Sequence, residues 1–359
     1  MQYRQTEVLQ INAFEPEQHI IERAAALLRA GELVVFPTET VYGLGADGLQ
    51  TSAVEGIFLA KNRPFSDPLI LHIADEGALA ALTTDVPQEA HRLARAFWPG
   101  PLTLILPAAP RVPRLVTAGL STVAVRMPRH PVALALIRAL GSPIAAPSAN
   151  RFMHVSPTTA QHVLADLGGR VPLILDGGPC TVGVESTILD LGSEVPRILR
   201  PGGVSLEELR TVLPEVQPPR SRAVEREDIT VAQKAPGQML THYAPAVPAL
   251  LFEGAVQEMR GAMLAEVRRR RASGERVGVL VADEDVAAFR ESGAHIYALG
   301  SDAAPEQVAT RLFAGLRALE EAGVQVILCR SFEPRGIGLA IRDRLLKAAG
   351  GKIILNFGR

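Results

Sequence analysis

Apolar positions recur at helical spacing early in the chain: Ile20, Ile21, Ala24, Leu27 and Leu28 predict an amphipathic helix over EQHIIERAAALLRAG, with Gly31 as its stop. The continuous run LVVF then predicts a buried strand, and TSAVEGIFLAK a second helix with Ser52 and Glu55 as its capping box. That register puts Lys61 at the end of the helix, with its ammonium projecting from the protein. LILHI, LTLIL and TVAVRM predict short strands, PVALALIRALG a helix, and PIAAPSAN another strand. Ser156 and Pro157 are placed to open a helix over PTTAQHVLADLG, and ESTILDL, RILRPGG and SLEELRTVL complete the unit near Leu213. Strands in succession, broken unevenly by helices, predict an α/β domain with a mixed, curved sheet over residues 1–213.

The pattern changes at Pro214. Residues 214–247 are rich in proline and charge and lack periodicity, which predicts a linker, with HYAP too specific for a plain spacer. From residue 248 to 359, PALLF, RVGVLVA, AHIYALG, VQVILCR and KIILNFG alternate with helical stretches, predicting a smaller doubly wound, Rossmann-like parallel sheet. The arginine run Arg268 to Arg271 reads as the solvated end of a helix that stops at Gly274.

Composition narrows the function classes. With 359 residues, 47% of them hydrophobic, the chain can bury two cores, and a net charge of -1 argues against a protein coated in basic surface for nucleic acid. Two cysteines, Cys180 and Cys329, exclude a disulfide framework or a CxxC metal site, and the histidines show no metal-binding spacing. The polar N-terminus and the lack of any run of ~18 apolar residues predict a cytoplasmic protein without a membrane anchor.

Chemistry concentrates in FPTETVYGLGADG, where Thr38, Glu39 and Thr40 stand between a strand and glycines, so that hydroxyls, a carboxylate and bare amides are offered at a sheet end. Gly43, Gly45 and Gly48 spell GxGxxG, but PTETVY separates them from the strand, so a dinucleotide fingerprint is rejected. No GxxxxGK[ST] occurs, and phosphate must be held by side chains. Lys61 and Arg63, stiffened by Pro64 and Pro68, offer a point charge and a bidentate fork. Arg126 closes an apolar strand and needs an anion there, for which a substrate carboxylate is the candidate. Ser148 with Asn150, Ser186 and Arg200 repeat the pattern of polar groups at strand ends.

Together FPTETVYGLG, KNRP, WPGPLT, VAVRMP, APSAN, GVESTI and LRPG resemble the YrdC-like threonylcarbamoyl-adenylate synthases, over Gln18 to Val212, and HYAP with the trailing α/β domain resembles their long two-domain form. The resemblance implies condensation of L-threonine, bicarbonate or carbon dioxide, and ATP with Mg²⁺ to threonylcarbamoyl-AMP and pyrophosphate, as a nucleotidyltransferase feeding the proteins that modify tRNA adenosine 37. It implies L-threonine contacts at Thr38, His72, Arg126, Ala146 and Ser186. It assigns ATP to Lys61, Arg63, Phe65, Thr122, Ser148, Asn150, Ser156, Arg200 and Tyr243, with Lys61 and Arg63 as the catalytic pair. The chain departs from the family at Asp67, commonly asparagine there, and at Met239, Leu240 and Thr241, which replace a more basic run.

Two other readings predict different behaviour. A carbamoyl-adenylate enzyme of hydrogenase maturation shares the domain, but this sequence lacks zinc-finger cysteines and an acylphosphatase-like N-terminus. An RNA-binding module would use the same cationic concavity, against which stand the near-neutral charge and 4% aromatic residues, so no stable nucleic-acid binding is expected.

Overall fold

The structure, a computed structural model, describes residues 5–220, 232–238 and 243–355. Two compact units result, one of residues 1–152 and 156–238 and the other of 153–155 and 239–359.

The first unit is built on ten strands: β1 (Glu7–Gln10), β2 (Val34–Phe36), β3 (Gly43–Asp47), β4 (Ile70–His72), β5 (Leu102–Pro107), β6 (Thr122–Arg126), β7 (Ile144–Ala145), β8 (Leu173–Asp176), β9 (Thr187–Asp190) and β10 (Arg197–Arg200). They lie in the order β1-β8-β2-β3-β7-β4-β6-β5-β9-β10 and form a mixed sheet. For example, β4 runs parallel to β6, whereas β5 and β6 are antiparallel. Among the described residues seven α-helices accompany it: α1 (Gln18–Arg29), α2 (Thr51–Lys61), α3 (Leu79–Leu82), α4 (Gln88–Phe97), α5 (Pro131–Leu140), α6 (Ala160–Leu167) and α7 (Leu206–Val212). The sheet has both faces covered. One core gathers Val35, Leu44, Ile57, Leu71, Leu104 and Val163, and the other Ala24, Leu28, Phe36, Leu136 and Ile144.

The second unit stacks β11 (Ala249–Phe252), β12 (Val277–Val281), β13 (His295–Ala298), β14 (Val326–Arg330) and β15 (Ile353–Ile354) in the order β13-β12-β14-β11-β15. All its pairings are parallel, joined through α8 (Val256–Ala272), α9 (Val286–Phe289), α10 (Pro305–Glu321) and α11 (Gly338–Ala348). This is the expected α/β architecture: a mixed sheet first and a smaller doubly wound parallel sheet after it. The arginine run ends α8 as expected, with Arg269 and Arg270 both folded onto Glu266.

Several local expectations are corrected. Helix α2 enters from Gln50 without a side-chain cap, because Asp47 organises the preceding turn: its carbonyl accepts from Gln50 N at 3.2 Å and its carboxylate from Leu49 N at 3.1 Å. Helix α6 starts at Ala160 and is capped by Thr159, three residues later than the Ser156–Pro157 opening. The PIAAPSAN strand shrinks to Ile144–Ala145: Ala146 N still reaches Ile70 O and Pro147 O accepts from Leu44 N, but Pro147 has no N–H to continue the ladder. The glycine stretch is itself a strand. Its amides are spent on the sheet, and a Cβ at Gly45 would meet the Phe36 ring at 2.8 Å and Ile144 at 2.9 Å. These glycines admit side chains packed across the sheet, so the notion of bare amides facing a ligand falls.

Candidate active site

The turn between β2 and β3 carries Thr38, Glu39 and Thr40, all buried. The Thr38 hydroxyl donates to Val41 O at 2.6 Å and accepts from the amides of Thr40 and Val41. It therefore holds the turn in shape. Arg126, on the last position of β6, donates to Glu39 Oε1 at 2.7 Å, to Thr40 Oγ1 at 3.0 Å and to Gly100 O at 3.2 Å. The anion its position demanded is thus supplied by the protein, by Glu39, whose other oxygen accepts from Arg129 N at 3.1 Å. A guanidinium has five N–H groups, so these bonds leave it donors for a further carboxylate. His72 is the cross-strand neighbour of Arg126 and lies edge-on to Phe36. Burial, helped by the Arg126 charge, pushes its pKa down to about 3, so the imidazole is neutral at ordinary pH. Its Nδ1 is buried without a hydrogen-bond partner. Ala146 is buried directly after β7, its amide bonded to Ile70 O at 3.0 Å.

A second group of polar residues gathers around buried cations. Asn62 follows α2 in the left-handed conformation, φ 53°, and turns the chain back. Contrary to the expected projection, Lys61 is only 2% exposed. Its ammonium donates to Ser148 O at 2.6 Å and to the Asn150 carbonyl, both in the APSAN turn. Burial and the neighbouring Arg63 hold its pKa well below the usual lysine range. The Ser148 hydroxyl donates to Asn150 Oδ1 at 2.5 Å, which ties that turn together. Arg63 donates to Asp67 O at 3.1 Å and Pro68 O at 2.6 Å, and pairs with the Asp67 carboxylate at 3.0 Å. Arg200, ending β10, donates to Ser186 O at 2.9 Å and Ser186 Oγ at 3.1 Å, and Ser186 in turn shares a hydroxyl bond of 2.8 Å with Thr103.

Other expected contacts are spread more widely. Ser156, instead of opening a helix, donates to Glu185 Oε1 at 2.6 Å. Thr122 begins β6, at the opposite end of the strand from Arg126. Phe65 is 50% exposed, its ring 5.0 Å from that of Phe58. Tyr243 belongs to the second unit, where its buried ring stacks on Phe313 at 5.5 Å and lies under the Arg344 guanidinium at 4.8 Å.

Sequence reasoning offers Glu39 only as a carboxylate at the sheet end, not as the partner of Arg126; it names Glu185 without a role and reads 232–238 as part of a linker without saying where it rests. Gln233 N donates to Ser66 O at 3.1 Å, and Arg200 reaches Pro236 O at 3.4 Å. Ala235 is fully buried in a small apolar cluster with Ile70, Ile105, Ala124 and Ile188. The signal for this was present as an apolar alanine inside a polar stretch, too slight to read alone. Met239, Leu240, Thr241 and His242, with the arginines at 222 and 226, lie outside the described residues. Among the described residues no helix is long and apolar enough to cross a membrane, and no group of His, Cys, Asp and Glu is arranged to hold a metal.

Comparison with known proteins agrees across the chain. A family model described as telomere recombination, spanning Sua5, YciO and YrdC, matches residues 26–202, and one described as the C-terminal domain of threonylcarbamoyl-AMP synthase matches residues 204–350. The threonylcarbamoyl-AMP synthase of Bacillus subtilis is 46% identical over 336 residues, 93% of this chain and 94% of its own. That of Pyrococcus abyssi is 44% identical over 338 residues, 94% of this chain and 96% of its own. The crystal structure of P. abyssi Sua5 complexed with L-threonine matches with a TM-score of 0.91 and 42% identity, covering 97% of this chain and 99% of that one. The chain therefore belongs to the threonylcarbamoyl-AMP synthase family, in its two-domain form.

Proposed function

We propose that this protein is an L-threonylcarbamoyladenylate synthase, with ATP on the Lys61, Arg63 and Arg200 side of the site and L-threonine on the Arg126 and His72 side. The observation that carries the reading is the partnership of the buried cations: Lys61 and Arg200 donate to carbonyl and hydroxyl oxygens and Arg63 largely to carbonyls. Neutral oxygens fix a cation in place without cancelling its charge, and with Asp67 paired to Arg63 the three cations still outnumber the carboxylate they face, which suits a polyphosphate.

The chemistry needs no strong nucleophile. The threonine amine adds to the carbon of carbon dioxide and loses a proton, giving a carbamate. A carbamate oxygen attacks the α-phosphorus, the bond to the bridging oxygen breaks, and pyrophosphate leaves. Magnesium enters with the phosphates as part of the substrate and spreads their charge. Neutral His72 and the donors Arg126 retains beside Glu39 suit an amino acid's ammonium and carboxylate. The protein's share is positioning and the exclusion of water, since a carbamate is labile. In this reading residues 214–247 act as a closing linker. Lying on the first unit at Ser66, Ala235 and Arg200, residues 232–238 support that role. The product feeds a transfer onto tRNA adenosine in the cytoplasm.

The test is pyrophosphate release from ATP with each substrate omitted in turn. Release that requires both threonine and bicarbonate is expected. Equal release without threonine overturns the reading, use of carbamoyl phosphate in place of threonine favours the hydrogenase-maturation chemistry, and tight salt-resistant tRNA binding without turnover favours the RNA-binding module.

A further inference from the structure

Asp67 has no place in the mechanism above, yet it sits among the cations assigned to ATP. The loop from Arg63 to Pro68 folds back so that the Arg63 guanidinium donates to the carbonyls of Asp67 and Pro68. Inside this loop the Asp67 side chain is 1% exposed, one oxygen 3.0 Å from the guanidinium. The approach lies off the N–H directions, so neither carboxylate oxygen accepts a hydrogen bond. A buried carboxylate ordinarily takes several, because losing water without replacement is costly.

What surrounds Asp67 is positive charge from three elements: Arg63 in its own loop, Lys61 at the end of α2 and Arg200 at the end of β10. Asp166 of α6 is the other anion that faces Lys61. Burial pushes the Asp67 carboxyl above the usual carboxylate range, while Arg63, Lys61 and Arg200 pull it back down.

We propose that Asp67 is the counter-anion of the phosphate pocket before nucleotide binds, and that it takes up a proton from solvent when the phosphates of ATP dock on Lys61, Arg63 and Arg200. The proposal rests on the reading of those three cations as the ATP site. Its physics is a competition for charge. Phosphate oxygens arriving at the same cations place more negative charge beside a carboxylate that has no hydrogen bond to hold it ionised, and like charges in one buried site cannot both persist cheaply. One proton added to the carboxylate removes the conflict, and the resulting O–H donates to a phosphate oxygen. When pyrophosphate leaves, the proton returns to solvent.

The consequence is an ATP affinity that weakens as pH rises, by up to about tenfold per pH unit where the free carboxylate is ionised and the bound one is protonated. Replacing Asp67 by asparagine keeps the shape and removes the charge. The experiment is calorimetry of the full chain with the magnesium complex of an α,β-methylene analogue of ATP, at pH 7 in two buffers of different ionisation enthalpy and again at pH 8. Wild type is expected to take up at least half a proton more per nucleotide than Asp67→Asn and Asp67→Ala, and both variants are expected to bind several-fold tighter than wild type at pH 8. Binding with the same proton count and the same pH dependence in all three proteins overturns the proposal and leaves the ATP site standing. So does wild type alone, if it binds without proton uptake at either pH. Absence of binding to wild type overturns the ATP reading itself, and the proposal with it.

Discussion

Each unit holds arginines and lysines in hydrogen bonds and ion pairs, but the partners differ. In the first unit Lys61 and Arg200 are held by carbonyl and hydroxyl oxygens of the turns Ser148–Asn150 and Ser186, whose charge is zero. In the second unit the cations meet carboxylates: Arg330 pairs with Asp302 at 2.7 Å and Asp285 at 3.2 Å, Arg260 with Asp285 at 2.6 Å, Arg342 with Glu253 at 2.6 Å and Lys347 with Asp343 at 2.9 Å. Burial alone therefore does not mark a site. A cation fixed by neutral oxygens keeps its charge for an incoming anion, whereas a cation closed by a carboxylate has spent it on the fold.

Arg63, paired with Asp67, and Arg126, paired with Glu39, stand between the two cases, and Arg126 allows the largest test. Replacing Glu39 by alanine strands a buried guanidinium, so a loss of about 3–5 kcal/mol in unfolding free energy is expected by denaturant titration. A loss below about 1 kcal/mol would mean that Arg126 behaves like the carbonyl-held cations, and the distinction between the regions would blur.

Lys61→Ala tests the opposite kind. It is expected to weaken ATP binding by about 2–3 kcal/mol, roughly 30- to 150-fold, because a desolvated charge-assisted contact to phosphate is lost. Calorimetry gives the affinity, and a wild-type melting profile guards against a folding defect. Unchanged affinity would assign Lys61 to the architecture of the APSAN turn alone.

The elements of both sheets were legible because apolar runs and helical spacing report burial locally. The chemistry was half legible. Motif residues such as Lys61, Arg126 and Arg200 stood out, but what each touches did not, because Lys61 finds Asn150 across 89 positions and Arg126 finds Glu39 across 87. Strand order decides such meetings, and periodicity carries no information about strand order. The same gap explains the expectation that Lys61 projects: a helix end is normally solvated, whereas here the returning APSAN turn takes up the ammonium. Tyr243 likewise meets Phe313 and Arg344 far along the chain, contacts that its motif does not announce.

His72 offers a pH test of the first unit. Its folded pKa, about 3, lies below the unfolded value near 6.5 because burial disfavours the imidazolium. As pH falls below about 6.5 the unfolded chain binds a proton that the folded protein refuses, so stability present at pH 7 is progressively lost toward the folded pKa. The slope is about 1.4 kcal/mol per pH unit, so this group contributes about 2 kcal/mol to the difference between pH 7 and pH 5. Denaturant midpoints of wild type and His72→Asn should converge by that amount on acidification. Parallel curves would show that His72 is solvated when protonated.

The smallest effect should come from the second unit, at Asp302. Its carboxylate is 41% exposed and pairs with a buried guanidinium that keeps Asp285 as a second partner and Phe332 beneath it at 5.0 Å. Removing Asp302 thus leaves Arg330 neither unpaired nor newly wetted, and a half-exposed pair contributes little, so Asp302→Ala should cost no more than about 1 kcal/mol of stability. More telling is what should not change. If the carboxylate-closed cations of this unit serve the fold alone, ATP affinity and threonine-dependent pyrophosphate release will match wild type at every ATP concentration. A selective fall in ATP affinity, with melting unaltered, would show that pairing with a carboxylate does not silence a cation, and the contrast drawn between the two units would fail at its second half.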